Sequence, residues 1–340
     1  MWKKVRKIAG KFTLPKPPVL KVNGIIVAEP KEVANILAIH FAKVSSKSDN
    51  RPYANQRAQE EQHDIDFSTK KTEAYNIPFS MKEFEAALSK CNDSAPGPDD
   101  IPYAMIRHAP KITKLFILSI INKIFLEHCF PKIWELAKFL PFAKPGKDAF
   151  LANNYRPIAL TCCLCKIMEK MVNARLIWYL EREKYLSPAQ CGFRSMRSTT
   201  DVLVRVESSI CEAFILKQHH ITVFFDLEKA YDTAWRYGIL KDLFNCKLRG
   251  ELPIFIKNVL RNRLFKVHVG ASISTVKIQE EGVPQGSVLS VTLFALAING
   301  IAKVIPHDIL YTLFVDDLSV SFSASRMTVA KGGYSYVLTK

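Results

Sequence analysis

The stretch LYTLFVDDLSVSF, residues 310–322, constrains the chain more than any other. Leu310, Leu313, Phe314, Val315, Leu318, Val320 and Phe322 are apolar strand formers, yet Asp316 and Asp317 stand side by side among them. Like charges in an apolar setting repel, and each resists leaving water. A solvated hairpin turn, where Asp is common, is the plain explanation. Neighbouring side chains on a strand diverge unless the chain turns between them. A tight turn between two apolar strands would set one or both carboxylates on the rim of a cleft, where a divalent cation would remove the repulsion.

ITVFFDL, residues 221–227, supplies a second source of carboxylate. This apolar strand ends in Asp226, and EKAYDTAWRYGILKDLF after it reads as helix. Asp226, Asp316 and Asp317, from separate strands, would form an acidic cluster suited to Mg²⁺, an oxygen-seeking cation that keeps few protein ligands. Two such ions, ~3.5–4 Å apart, stabilise the attacking and leaving oxygens of a phosphoryl displacement.

Net charge points to the class of partner. The 340 residues carry a formal charge of +16, which suggests nucleic acid or an anionic membrane surface. No run approaches the ~18 apolar residues of a membrane span. The most apolar window, LFILSIINKIF at 115–125, is interrupted by Asn122 and Lys123. MWKKVRKIAGKF lacks the pattern of a signal peptide. Eight scattered cysteines, mostly among apolar neighbours, indicate reduced thiols in a nuclear or cytosolic setting. The CCLC cluster at 162–165 has no second CxxC or HxxxH partner and reads as buried helix cysteines.

Residues 1–21 hold seven Lys or Arg and no acid, either a solvated arm or a phosphate contact. Apolar spacing predicts helices over 31–44, 111–129, 163–184, 199–217 and 288–305. Residues 45–76 are polar and read as a linker or long loop. Ser80 and Glu83 make a capping box ahead of MKEFEAALSKC. Residues 139–160 read as a hairpin with a basic tip, and 265–269 with 274–279 as a second hairpin.

FDLEKAYD, EGVPQGSVLS and FVDD, in this order, resemble the palm motifs of reverse transcriptases, most closely those of non-LTR retrotransposons. APGPDDIP, NYRPIALT and QCGFRSMRSTTD resemble the finger motifs of that family. The resemblance covers roughly residues 80–325. It implies an RNA-directed DNA polymerase with an α+β right-hand fold. Residues 1–76 would be a basic N-terminal region and polar linker. Helical fingers with the start of the palm would span 77–220. The palm, an antiparallel sheet packed on helices, would span 221–325, and 326–340 would be an atypical tail.

The same resemblance implies the site. Asp226 would bind both Mg²⁺ ions, for which Mn²⁺ would substitute, with the Leu227 carbonyl nearby. Asp316 would be the other main ligand and Asp317 its neighbour. Tyr231, five residues after Asp226, stands at the position of the aromatic gate that clashes with a ribose 2′-OH. Gln285 would contact the incoming dNTP, and Gly282 and Gly286 would let backbone approach it. Phe314 and Val315 would line the nucleotide and primer end. Arg156 offers the triphosphate a bidentate fork, and Lys144 or Lys147 a point charge. Gly192, Phe193 and Arg194 would track the template backbone, with Arg197 beside them. Partners would be an RNA template, a DNA primer and dNTPs, together with a separate endonuclease or thumb segment, and no membrane. The location would be nucleus and cytoplasm.

Departures from the family pattern accompany the match. Asp100 and Val291 stand where the family commonly has Gly and Pro. The chain stops 23 residues after Asp317, and TVAKGGYSYVLTK does not resemble the usual continuation. The expectation is a truncated copy or a partial gene model with the thumb absent. The competing function is an inactive relic that only binds nucleic acid. An RNA-dependent RNA polymerase shares the acidic cluster but not the PQG loop and Tyr231. A group II intron-type maturase fits the finger motifs less well.

Overall fold

A computed structural model describes residues 18–47, 54–306 and 309–326. The basic arm, apart from Lys21, and the tail TVAKGGYSYVLTK lie outside the described residues. The chain enters with a hairpin, β1 (Leu20–Val22) and β2 (Ile25–Val27), and then helix α1 (Pro30–Val44). Pro30 opens that helix where a missing N–H costs nothing. Val33, Leu37 and Phe41 form its buried face, as the spacing predicts.

The linker reading of 45–76 needs correction. Helix α2 (Ala54–Glu61) lies within it, and Phe67 and Tyr75 enter the main core. Glu60, Asp64 and Glu61 engage Lys241, Lys257 and the Trp235 indole. Two buried aromatics and several polar anchors are enough to dock a segment whose average composition is polar.

Helices α3 (Met81–Ser89), α4 (Tyr103–His108), α5 (Lys111–Glu127) and α6 (Lys132–Glu135) follow. The Ser80–Glu83 capping box at the start of α3 forms as expected. Strands β3 (Leu136–Ala143) and β4 (Tyr155–Leu160) make the expected hairpin, and α7 (Cys163–Arg182) comes next. Ile167, Met168, Met171, Val172, Leu176 and Leu180 of α7 are all buried. Lys166 and Glu169 are buried with them, so this helix runs through the main core despite its polar residues. Cys162, Cys163 and Cys165 are buried where it begins.

The remaining elements are α8 (Thr199–Ile215), β5 (His219–Phe225), α9 (Ala230–Thr233), α10 (Arg236–Asn245), α11 (Glu251–Leu260), β6 (Leu264–Val269), β7 (Ser272–Ile273), β8 (Lys277–Ile278), α12 (Leu289–Ile298), α13 (Ile301–Val304), β9 (Leu310–Phe314) and β10 (Asp317–Ala324). The helix expected over 288–305 is broken after Ile298. The Asn299 side chain explains the break: it accepts from the Ser187 amide at 2.7 Å and donates to the Tyr185 carbonyl at 3.0 Å.

Two sheets organise the α+β fold. One is antiparallel, in the order β5-β10-β9. The other runs β4-β3-β6-β7, with β8 also on β6, and contains a parallel β3–β6 pair that joins the two expected hairpins. Helix α1 covers this second sheet, where Phe41 meets Phe139 edge-on and Phe139 stacks on Phe265 at 4.3 Å. Among the described residues no helix is long and apolar enough to cross a membrane.

Candidate active site

Pairing of β5 with β10 brings the acidic strand ends together. Leu318 faces Phe225, so Asp317 and Asp226 come one step beyond on neighbouring strands. Phe314 pairs with Asp317, leaving Val315 and Asp316 as the two residues of a hairpin turn. Val315 has a φ of 63°, a left-handed conformation that a β-branched side chain adopts only under strain. The turn parts the neighbouring carboxylates, sending them into two spaces that Asp226 borders. Asp316 lines a cavity of about 370 Å³ together with Asp226. Asp317 lines a separate apolar groove beneath α8, which Asp226 also borders. Asp226 therefore stands between the other two.

The carboxylates feel one another. Partial burial, then the charges of Asp316 and Asp226, raise the Asp317 carboxyl above its ordinary value. Burial, then the charge of Asp316, pushes the Tyr231 phenol up to about 12. Among the described residues no three His, Cys, Asp or Glu side chains are drawn into a closed metal-binding group. The donor chemistry nonetheless fits a hard divalent cation: oxygen ligands with uncompensated mutual repulsion at a cleft.

The same cavity collects most of the expected nucleotide contacts. Lys144, Arg156, Leu227, Tyr231 and Gln285 all line it. Lys147 is exposed and does not, which separates two lysines that spacing left equivalent. Arg156 reaches the cavity because β4 alternates, burying Tyr155, Pro157 and Ala159 and exposing Arg156 between them. The Tyr231 ring is held by stacking on Phe294 of α12, 4.6 Å between centroids.

Other expected residues are arranged differently. Phe314 lines the groove beneath α8 rather than the cavity, because strand alternation turns it to the opposite face. Val315 is buried against residue 192, where a Cβ would lie 2.5 Å from the Val315 amide, so only glycine admits this approach. Gly192 thus supports the turn from behind. Gly286 has a φ of 117°, and a Cβ there would lie 2.5 Å from the Ala159 carbonyl oxygen, so the close approach of the two backbones needs glycine. Arg194 turns inward: its guanidinium holds Glu181 at 2.6 and 2.7 Å and the carbonyls of Ser187 and Gln190. Four of the five N–H directions of its fork are occupied within the chain, so it braces its own loop. Phe193 and Arg197 are exposed on that loop.

Residues that sequence reasoning missed hold the site in place. Gln190 is buried, and its Oε1 accepts from the Val315 and Gly192 amides at 3.1 and 2.8 Å. Glu169 is wholly buried, and its Oε2 accepts from the Ser287 hydroxyl at 2.6 Å and the Val288 amide at 2.7 Å, where α12 begins. The Gln285 amide donates to both Asp232 oxygens, at 3.0 and 3.1 Å. Burial pushes Asp232 up to about 6, against the opposing influence of Gln285, Lys229 and Lys144. The Gln285 carbonyl in turn accepts from the Ala159 amide at 2.7 Å, and the Val283 amide donates to Tyr231. Asp232 and Gln190 sit inside quoted motifs, a signal that was available. Glu169 lies in a helix that reads only as core.

Both family departures are accommodated. Asp100 has a φ of 54°, the region glycine enters freely, and its carboxylate takes an ion pair from Lys138. Val291 lies in the first turn of α12, where proline is also tolerated.

A family profile described as reverse transcriptase (RNA-dependent DNA polymerase) matches residues 143–332. The chain is 31% identical over 272 residues to the probable RNA-directed DNA polymerase from transposon BS of Drosophila melanogaster, covering 77% of this chain and 30% of that protein. It is 29% identical over 338 residues to the corresponding protein of transposon X-element from the same organism, covering 95% of this chain and 35% of that one. The chain thus spans about a third of the length of these relatives. Among solved structures, an apo telomerase from Candida tropicalis aligns with a TM-score of 0.45 at 13% identity, over 62% of this chain and 47% of that one.

Proposed function

The chain belongs to the reverse transcriptase family, and on that premise we propose that its cavity is the nucleotide site of an RNA-directed DNA polymerase of a non-LTR element. The observation that carries this reading is the meeting of Asp226, Asp316, Lys144, Arg156, Tyr231 and Gln285 around one space. Two carboxylates, two cations, an aromatic wall and an amide are what a dNTP needs at its reacting phosphate, its polyphosphate and its sugar.

Reverse transcriptases as a family use divalent metal. We assign Asp226 and Asp316, with the Leu227 carbonyl and Asp317 beside them, as the residues that would hold two Mg²⁺ ions. Bound there, the ions would neutralise the carboxylates and stabilise charge on the attacking and leaving oxygens. Arg156 and Lys144 would hold the polyphosphate, so that the primer 3′-OH meets the α-phosphate in line and pyrophosphate departs. Their contribution is positioning and charge stabilisation. Tyr231, fixed by Phe294, would exclude a ribose 2′-OH. Template contact falls to Phe193 and Arg197, since Gly192 is buried behind the Val315 turn and Arg194 is committed to Glu181. In this reading residues 77–220 serve as fingers with the start of the palm and 221–325 as palm, acting on an RNA template and DNA primer in the nucleus and cytoplasm.

The test is primer extension on poly(rA)·oligo(dT) with dTTP and Mg²⁺, comparing the chain with Asp226→Asn and Asp316→Asn after circular dichroism shows all three folded. Extension by the parent alone supports the reading. A folded parent that binds the template without extending the primer would leave a nucleic-acid-binding relic.

A further inference from the structure

The cavity has a contributor from outside the motifs. His40, near the end of α1, lines it with Lys144, Arg156 and Lys229. Helix α1 is fastened to the second sheet by Phe41, whose ring lies against the His40 ring, so the imidazole is presented from a packed element. Each of the four basic residues comes from a different place: α1, the turn after β3, β4, and the turn before α9. Lys229 takes a left-handed conformation, φ 56°, at the cap of α9.

Charges of both signs surround His40. Burial, then Lys229, Lys144 and Lys43, hold its imidazole below the ordinary value of 6.5, so it is neutral at pH 7. Asp226, Glu228, Asp232 and Asp316 also line the cavity, and Lys229 pairs with Glu228 at 3.6 Å. A neutral imidazole facing several ammonium groups has its charge suppressed by the field that a polyanion would cancel.

We propose that His40 and Lys229 complete a polyphosphate subsite with Lys144 and Arg156, and that His40 takes up a proton when the polyphosphate binds. The ligand class is a nucleoside triphosphate or free polyphosphate, and the inference rests on the reading of this cavity as the nucleotide site. The neutral ring leaves the empty subsite less repulsive, and the protonated ring adds a donor once negative charge arrives. On this basis α1 is part of the nucleotide site and not an appendage to it.

The test uses sodium tripolyphosphate and the whole chain. Calorimetric titration at pH 7 in buffers of different ionisation enthalpy counts the protons taken up, and NMR follows the His40 ring, assigned by its loss in His40→Gln. The parent should take up a fraction of a proton and show a raised His40 midpoint in the complex. His40→Gln should lose that uptake and bind several-fold more weakly. Lys229→Met should also weaken binding, while raising the His40 midpoint in the free protein, a pair of opposite effects that loss of structure would not produce. Binding without proton uptake, equal uptake by His40→Gln, or no binding at all would overturn the proposal. Primer extension separates this result from the larger reading. An unchanged KM for dTTP in an active His40→Gln chain refutes the subsite alone. Proton-linked binding by an inactive parent refutes the polymerase reading alone.

Discussion

The side-chain oxygen of Gln190 accepts a hydrogen bond from the backbone amide of Val315 at 3.1 Å, holding the strained residue that precedes Asp316. One buried amide therefore stabilises a turn in which a β-branched residue takes a left-handed conformation. Gln190→Ala would leave the Val315 amide buried without an acceptor, a loss of about 1–3 kcal/mol. Urea unfolding should register that loss. Because Asp316 rides on the same turn, kcat should fall more than the dTTP KM changes. Gly192→Ala, which forces a Cβ onto the Val315 amide, should reproduce the pattern.

Glu169 acts on the other side of the cavity, through the start of α12. Its Oε2 gathers Ser287 and Val288, just after Gly286 in the nucleotide loop. Glu169→Gln retains the shape but replaces a charged acceptor with a neutral one, at a cost of roughly 1–3 kcal/mol. Glu169→Ala orphans these donors and should cost more. The readout that distinguishes a loop effect from general instability is the dNTP KM, which should rise in the glutamine variant at temperatures where it is fully folded.

Asp232 makes a pH-dependent prediction. Its ordinary value is 3.8, and burial pushes it up to about 6. A raised carboxyl means that ionisation costs folding free energy. The penalty is absent below about pH 4, grows between pH 4 and 6, and is complete above pH 6. The difference corresponds to about 3 kcal/mol at most. Asp232→Asn cannot ionise, so its unfolding free energy, measured in urea, should lack this segment of the parent's pH profile. Identical profiles for the two proteins between pH 4 and 6.5 would refute the assignment.

Arg194 should behave as a brace. Arg194→Ala removes both bonds to Glu181 and should lower stability by about 1–3 kcal/mol. The slope of template affinity against salt should not change, because no phosphate contact is lost. Arg197→Ala should do the reverse, reducing the slope by about one counterion with little change in stability. A shallower slope in Arg194→Ala would restore it as a template contact.

Local signals carried well into the structure. The capping box at Ser80, the buried face of α1 and the strand ending in Asp226 all depend on residues within a turn or two of one another. So does the hairpin around Asp316, whose apolar flanks prescribe β9 and β10. What stayed hidden depends on distance or on a single change of phase. The partner of Arg194 is a glutamate on the preceding helix, and nothing in GFRSMR announces it. Phe314 falls on the far face because the two-residue turn begins one step later than an inward phenylalanine would need. Lys144 and Lys147 differ only in which reaches the cavity, and loop geometry alone decides that. His40 precedes Asp226 by most of the fingers, so only the packing of α1 on the second sheet brings it near. Phe67 and Tyr75 are two aromatics in a polar stretch, too sparse to give a periodic pattern yet sufficient to anchor it.

The bond from the Ala159 amide to the Gln285 carbonyl has a mechanical consequence. Arg156 lies three residues away on the same strand, so two residues proposed to contact the nucleotide are linked through one backbone bond. A displacement of the β3–β4 hairpin that closes Arg156 on a nucleotide must drag Gln285 with it. In the proposed reading the two contacts would then move as one body.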